Sequence, residues 1–167
     1  PYILIPNLED GQASLFTKSR DGFRCNASDV LIAWDGATAG KIGKGFDGYA
    51  GSTIGVLRPY SNLILTDYLF YFMKSQYDKI NPTKSGSAVP HLSRRILDNL
   101  LIPLPPHPEQ KRIVAKIEGL FEKIDQAKRL REEAIKDSEE IIPSALNVIF
   151  SKAEKERWQI YSLRKII

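Results

Sequence analysis

Between Ile113 and Val148, positions at alternating steps of four and three carry Ile113, Ile117, Leu120, Ile124, Ala127, Arg131, Ala134, Ser138, Ile141, Ala145 and Val148. An α-helix turns once in about 3.6 residues, so this spacing lays one largely apolar stripe along a single helical face; a strand would send alternate members to opposite sides. The start of the helix is legible just upstream. Pro108 suits the first helical position because it has no amide hydrogen to satisfy, Glu109 complements the positive end of the helix dipole, and Gln110 can reach back toward the cap. At a rise of about 1.5 Å per residue, about 40 residues of helix extend roughly 60 Å. That exceeds what a domain of this size needs to close its own core, so the stripe from Ile124 to Val148 is expected to pack on a partner helix, while Ile113 to Leu120 is expected to belong in part to the domain's own core. The candidate pairing residues are Ile117, Leu120, Ile124, Ala127, Ala134, Ile141, Ala145 and Val148. Pro143 lacks an amide donor and is expected to kink the helix about a turn earlier, leaving two helical segments in near continuity over 108–153.

Residues 1–107 have a different rhythm. Val30 to Trp34 is an unbroken apolar run expected to be a buried strand, with a turn starting at Asp35-Gly36. Ser52 to Leu57 reads as a second strand, ended by Pro59. Seven of the 11 glycines fall between Gly36 and Gly55, too dense for a helix and natural for tight loops between strands. From Thr66 the period changes: Tyr68, Leu69, Phe72 and Met73 predict a helix over about 66–79, capped by Thr66 or Asp67. Residues 81–90 read as a loop, 92–97 as a short helix opened by Ser93, and 99–104 as a short strand. The prolines from Pro103 to Pro108 then form a stiff connector. The fold class is α+β: a β-rich domain with short helices, followed by a long helix of coiled-coil type.

Composition narrows the function classes. With 43% hydrophobic and 26% charged residues the chain resembles a folded globular protein, and its apolar runs fall far short of the roughly 20 residues that a membrane span requires. A single cysteine, Cys25, excludes an internal disulfide and an all-cysteine metal cluster, which fits a reducing cytoplasm. The net charge of +4 permits an anionic partner, but bases and acids nearly balance on both sides of residue 107, so any anion-binding charge must be local. The sequence opens on Pro1-Tyr2-Ile3 without an initiator methionine or a signal-peptide pattern, and reads as starting inside a longer protein.

Three blocks, in this order, carry a family resemblance: Asp29 to Gly40 (DVLIAWDGATAG), Gly86 to Ser93 (GSAVPHLS), and Ile102 to Gln110 (IPLPPHPEQ) running into the helix. Together they resemble the specificity subunits of Type I restriction-modification enzymes. The resemblance implies two pseudo-repeats in the whole subunit, each a target-recognition domain followed by a long helix, the two helices packing antiparallel as a spacer. On that basis residues 1–107 are part of a target-recognition domain, 108–153 the spacer helix, and 154–167 the start of the next repeat, with Trp158 to Leu163 as its opening strand. The domain would read one half of a bipartite site in double-stranded DNA, and the helix would dock methyltransferase subunits. Methyl transfer from S-adenosylmethionine and ATP- and Mg-driven restriction would belong to the modification and motor subunits, with no cofactor, no catalytic residue and no metal in this chain. A prokaryotic cytoplasmic location is implied, and two copies of the fragment are expected to pair through the helix.

Candidate DNA contacts fall in two segments. Lys79 to Arg95 contains no acidic residue and offers Thr83, Lys84, Ser85, Ser87, His91, Arg94 and Arg95, cations and short hydroxyls suited to phosphates and base edges. The glycine-rich stretch Asp35 to Phe46 adds Thr38, Lys41 and Lys44. The competing readings are a solvated turn docked on the core and a hairpin framework. Gly36 to Lys41 is not a phosphate loop, because three residues separate its glycines where four are needed and Ile42 follows the lysine. Asn81-Pro82-Thr83-Lys84 departs from an amino-methyltransferase motif at both later positions, and His91 and His107 have no metal-ligand spacing around them. The rival function is a helical adaptor that joins proteins without reading DNA. Salt-sensitive duplex binding separates the two.

Overall fold

The computed structural model describes residues 1–18, 22–81, 91–156 and 159–166. Its elements in chain order are β1 (Tyr2–Ile3), α1 (Asn7–Asp10), β2 (Phe23–Cys25), β3 (Val30–Ala33), β4 (Ile42–Lys44), β5 (Gly48–Ala50), β6 (Ile54–Leu57), α2 (Thr66–Ser75), α3 (Tyr77–Ile80), α4 (Arg94–Asp98), α5 (His107–Lys155) and a 3-10 turn at Leu163–Lys165. The chain divides into two units, Pro1–Ile117 and Glu118–Ile167.

The first unit is built around β3. It lies between β4 and β6, antiparallel to both, with Ile32 opposite Ile42 and Val30 opposite Leu57. Successive side chains of a strand point to opposite faces. Leu31 and Ala33 therefore join one core cluster with Ile3, Leu8, Cys25, Phe46 and Ala50, while Val30 and Ile32 join another with Ile42, Leu69, Phe70, Met73, Ile80 and Leu92. Both faces are covered, which is why the strand reads as a continuous apolar run without alternation. A second sheet has the order β1-β5-β2, with β1 parallel and β2 antiparallel to β5.

The glycine density has two causes, of which only one was expected. Gly36 and Gly40 do sit in a turn with positive φ. Gly48 instead lies within β5, where a Cβ would stand 2.4 Å from the Pro1 carbonyl oxygen, the acceptor of the Tyr49 amide. Gly43 in β4 is pressed against Leu8, whose Cα would be 3.1 Å from an added Cβ. Asp29, almost fully buried, is held by Arg58: Nε and Nη2 donate to its two oxygens at 2.7 and 2.6 Å, and the Asn26 amide donates at 2.8 Å. The Arg58 guanidinium keeps the Asp29 carboxyl below the usual carboxylate range, against the opposing effect of burial.

The helical expectations need correction in detail. The single helix expected over 66–79 is two, α2 and α3, separated at Gln76. Its cap is neither Thr66 nor Asp67 but Leu65, in extended conformation, whose amide donates to Gln110 Oε1 at 2.8 Å. Ser93 does stand at the N-cap of α4, without a side-chain cap bond. Residues 99–104 are not a strand. They alternate between half-buried Leu100 and Ile102 and exposed Leu101 and Leu104, but Pro103 has no amide for a ladder, and its carbonyl accepts from the Tyr68 hydroxyl at 3.0 Å. The strand expected at Trp158 to Leu163 is likewise missing from the described residues 159–163, which hold only the beginning of the 3-10 turn; Trp158 lies outside them.

α5 runs through Pro143 as one element, where two segments were expected. A proline ring inside a helix removes one backbone bond, and the many remaining bonds of a 49-residue helix can carry it. Within the first unit Gln110 and Val114 are the buried residues of α5, while Ile113 and Ile117 are half buried, so the inward face is centred one position beyond the start of the expected stripe. Gln110 reaches further than its cap. Nε2 donates to the Pro105 and Leu63 carbonyls and Oε1 accepts from Leu65, all at 2.8 Å. In the second unit, by itself, the stripe side chains Leu120, Ile124, Ile141 and Val148 are exposed, as are Phe121, Leu130, Ile135, Ile142, Leu146 and Phe150. No helix among the described residues is long and apolar enough to cross a membrane.

Candidate nucleic-acid interface

The glycine-rich candidates divide along the β3–β4 hairpin: Thr38 and Lys41 lie at the turn where β3 ends, while Lys44 stands opposite Val30, the first residue of β3. Residues 36–41 close the β3–β4 hairpin by backbone bonds, Ala39 to Gly36 at 3.0 Å, Lys41 to Thr38 at 3.0 Å and Gly40 to Ala33 at 2.8 Å. Positive φ at Gly36 (88°) and Gly40 (91°) permits this path. Thr38 is half buried in the turn. A strand, not a helix, follows the glycines, so the geometry of a phosphate loop is absent here.

The structure assigns internal partners to several candidate cations. Lys41 forms an ion pair with Glu9. Lys44 pairs with Asp67 Oδ1 at 2.6 Å and lies over the Phe70 and Tyr71 rings, 4.9 and 5.6 Å from their centroids. Arg94 pairs along its own helix with Asp98 at 3.1 Å, both side chains well exposed. Such exposed pairs exchange partners at little cost, so Arg94 can be recruited by a phosphate. Arg95 is exposed on the same helix, its carbonyl occupied by Asn99. Thr83, Lys84, Ser85 and Ser87 lie outside the described residues.

His91 is engaged on both ring nitrogens. Trp34 Nε1 donates to His91 Nε2 at 3.0 Å, and His91 Nδ1 meets Asp35 Oδ1 in a short contact. The backbone follows suit, with a bridge between Asp35 and His91 and a 2.8 Å bond from the Leu92 amide to the Trp34 carbonyl. On the other side of the turn, Ile80 Cγ1 would lie 3.0 Å and the Asn81 nitrogen 3.6 Å from a Cβ placed on Gly40. The Asp35–Gly40 turn therefore meets both flanks of residues 82–90. Sequence reading missed Asp35 and Trp34, since an acid and an indole beside a glycine turn look like a strand end, and only the fold brings them to a histidine 56 residues away.

Among the described residues no group of three or more His, Cys, Asp or Glu could hold a metal ion. Cys25 is buried, its thiol directed to the Gly48 carbonyl, and burial pushes its pKa up, away from the thiolate a nucleophile needs.

Residues 1–136 match the family model described as "Type I restriction modification DNA specificity domain". The chain belongs to that family. This specificity-domain chain is 37% identical over 125 residues to the Type I restriction enzyme MjaVIII specificity subunit of Methanocaldococcus jannaschii, a match that covers 74% of the chain and 29% of the relative. It is 28% identical over 117 residues to the EcoKI specificity subunit of Escherichia coli, covering 65% and 25%. Among solved structures it resembles the HsdS subunit from Thermoanaerobacter tengcongensis, with a TM-score of 0.58 and 32% identity over 74% of this chain and 34% of that one. A chain from a structural study of complex assembly and conformational transition of the Type I restriction-modification system matches at a TM-score of 0.57 and 31% identity, over 75% and 34%. The specificity-domain chain thus spans less than a third of the length of these curated relatives.

Proposed function

We propose that this chain reads one half of a bipartite double-stranded DNA site as part of the specificity subunit of a Type I restriction-modification complex in a prokaryotic cytoplasm. The observation that carries the reading is the family match over residues 1–136, which takes in the whole β-rich unit and the first turns of α5. Two segments, 35–46 and 79–95, would supply the DNA contacts, with Thr38, Lys41, Lys44, Thr83, Lys84, Ser85, Ser87, Arg94 and Arg95 as the candidate contacts. Residues 1–107 are the recognition domain, 108–153 the spacer helix and 154–167 the start of a following repeat. The chain itself is non-catalytic and holds no cofactor. Methyl transfer from S-adenosylmethionine and ATP- and Mg-dependent restriction belong to the modification and motor subunits it joins.

The exposed apolar side chains of α5, including Leu120, Ile124, Ile141 and Val148, support pairing of this helix with another in a coiled coil. The same exposure favours a second reading, a helical adaptor that joins proteins without reading DNA. Selection from a random duplex library at two salt concentrations, alone and with the cognate methyltransferase subunit, separates them. Enrichment of a short half-site supports recognition, and charge reversal at Arg94 and Arg95 is then expected to weaken binding and flatten its salt dependence. Tight association without enrichment in either preparation supports the adaptor.

A further inference from the structure

We propose that Trp34, Asp35 and His91 form a positioning clamp that fixes the recognition surface for DNA readout, and that His91 acts through this clamp and does not itself contact DNA. The inference rests on the DNA-reading function proposed above and deepens it.

The hydrogen-bond roles are determined by chemistry. An indole nitrogen can only donate, so the 3.0 Å contact from Trp34 Nε1 makes His91 Nε2 an acceptor. The ring hydrogen then sits on Nδ1 and is donated to Asp35 Oδ1. His91 in this state is neutral and has both nitrogens occupied, which leaves it neither a charge for a phosphate nor a donor for a base edge. The rings of Trp34 and His91 meet edge to face at 5.9 Å and 77°, which fixes the imidazole plane as well as its bonds.

The cluster adds little to stability, because the His91 and Asp35 side chains are 60% and 38% exposed and water competes for their bonds. Its effect is geometric. Trp34 directly follows β3, its amide bonded to the Thr53 carbonyl, and the residue after His91, Leu92, is fully buried and bonded to the Trp34 carbonyl. His91 thereby ties the downstream flank of residues 82–90 to the same Asp35–Gly40 turn that Ile80 and Asn81 touch from the upstream side. The described residues on either side of 82–90 are thus held against one turn, with a three-residue lock on the downstream side. Base readout depends on placement within a few tenths of an ångström, while phosphate attraction is tolerant of it, so loosening the lock should cost specificity and spare non-specific affinity.

The experiment compares the full chain, assembled with its methyltransferase subunits, with His91→Ala, His91→Gln and Trp34→Phe variants. Affinities are measured for the selected half-site duplex and a scrambled duplex across a salt series, and the Trp34 indole NH resonance is followed without DNA. In His91→Ala and Trp34→Phe, the ratio of specific to non-specific affinity is expected to fall by roughly 5- to 150-fold, the range of one mismatched base pair. The salt slope should stay unchanged, because no phosphate partner is lost. His91→Gln should restore the ratio, since an amide presents an acceptor and a donor about as far apart as the two ring nitrogens. The indole resonance should move in His91→Ala. An unmoved resonance, an unchanged ratio, or a slope reduced by about one overturns the clamp, the last by making His91 a direct phosphate contact. If His91→Ala does not fold, Trp34→Phe carries the same test. A wild-type assembly that enriches no half-site, with the indole shift intact, overturns the DNA-reading function and leaves the clamp as a structural lock only.

Discussion

Replacing Gln110 should expose how the base of α5 is secured within the first unit. The side chain is fully buried and makes three 2.8 Å bonds to backbone groups of two separate segments: the Leu63 carbonyl and the Leu65 amide before α2, and the Pro105 carbonyl before α5. Gln110→Met keeps most of the volume and removes all three bonds. A buried polar group left unsatisfied costs about 1–3 kcal/mol, and because Leu63 is exposed and water can reach part of these segments, the lower end applies to each, for a total of about 3 kcal/mol. Gln110→Ala adds lost packing and should cost about 4 kcal/mol. Gln110→Glu is the discriminating variant. Its carboxylate can still accept from Leu65 but faces two carbonyl oxygens, so its folded pKa should rise above the unfolded value of about 4.3. A raised acid pKa means that the folded state takes up the proton more readily, so this variant should gain stability relative to wild type as the pH falls from 7 toward 4. Urea unfolding monitored by Trp34 fluorescence at several pH values reads all three. A Gln110→Met protein within about 0.5 kcal/mol of wild type, or a glutamate variant that shows no relative gain on acidification, would refute the reasoning.

Three further outcomes follow from the packing. Arg58→Ala leaves the buried Asp29 carboxylate without its main partner and should lower the urea midpoint at pH 7, by less than breaking a fully buried pair because Arg58 is half exposed. Since Arg58 lowers the Asp29 pKa, the pair contributes fully above the unfolded value of about 3.9 and its contribution is lost as the pH falls through the lower folded value; a stability–pH profile of Asp29→Asn should lack that acid limb. Gly48→Ala drives a Cβ into the Pro1 carbonyl and should cost about 1–3 kcal/mol, with faster amide exchange at Tyr49, whose N–H bonds that carbonyl. Sedimentation equilibrium should find concentration-dependent self-association that Leu120→Asp with Ile124→Asp abolishes; a wild-type chain that is monomeric at every concentration would remove the paired-helix reading.

Local rules were enough for some features. The run Val30 to Trp34 announced a strand covered on both faces, the four-and-three spacing announced α5, and Ser93 announced the start of α4, since each is a matter of periodicity or of a cap within a few residues. The family motifs were also local, contiguous blocks of sequence that survive without knowledge of the fold. What failed were features settled by distant partners. Leu65 is the cap of α2 because Gln110, 45 residues later, accepts its amide. Residues 99–104 have the alternation of a strand but find no ladder, and Gly48 is a glycine because Pro1 lies against it.

The candidate interface divides along the same line. Sequence alone determined which residue types could meet DNA, because cations, hydroxyls and glycines declare their chemistry wherever they stand. It could not say that Lys41 and Lys44 already have acids beside them, or that His91 is spent on Trp34 and Asp35. Those facts belong to the tertiary structure, since a side chain's availability depends on which groups the folded backbone carries to within 3 Å of it, and chain distance holds no information about that.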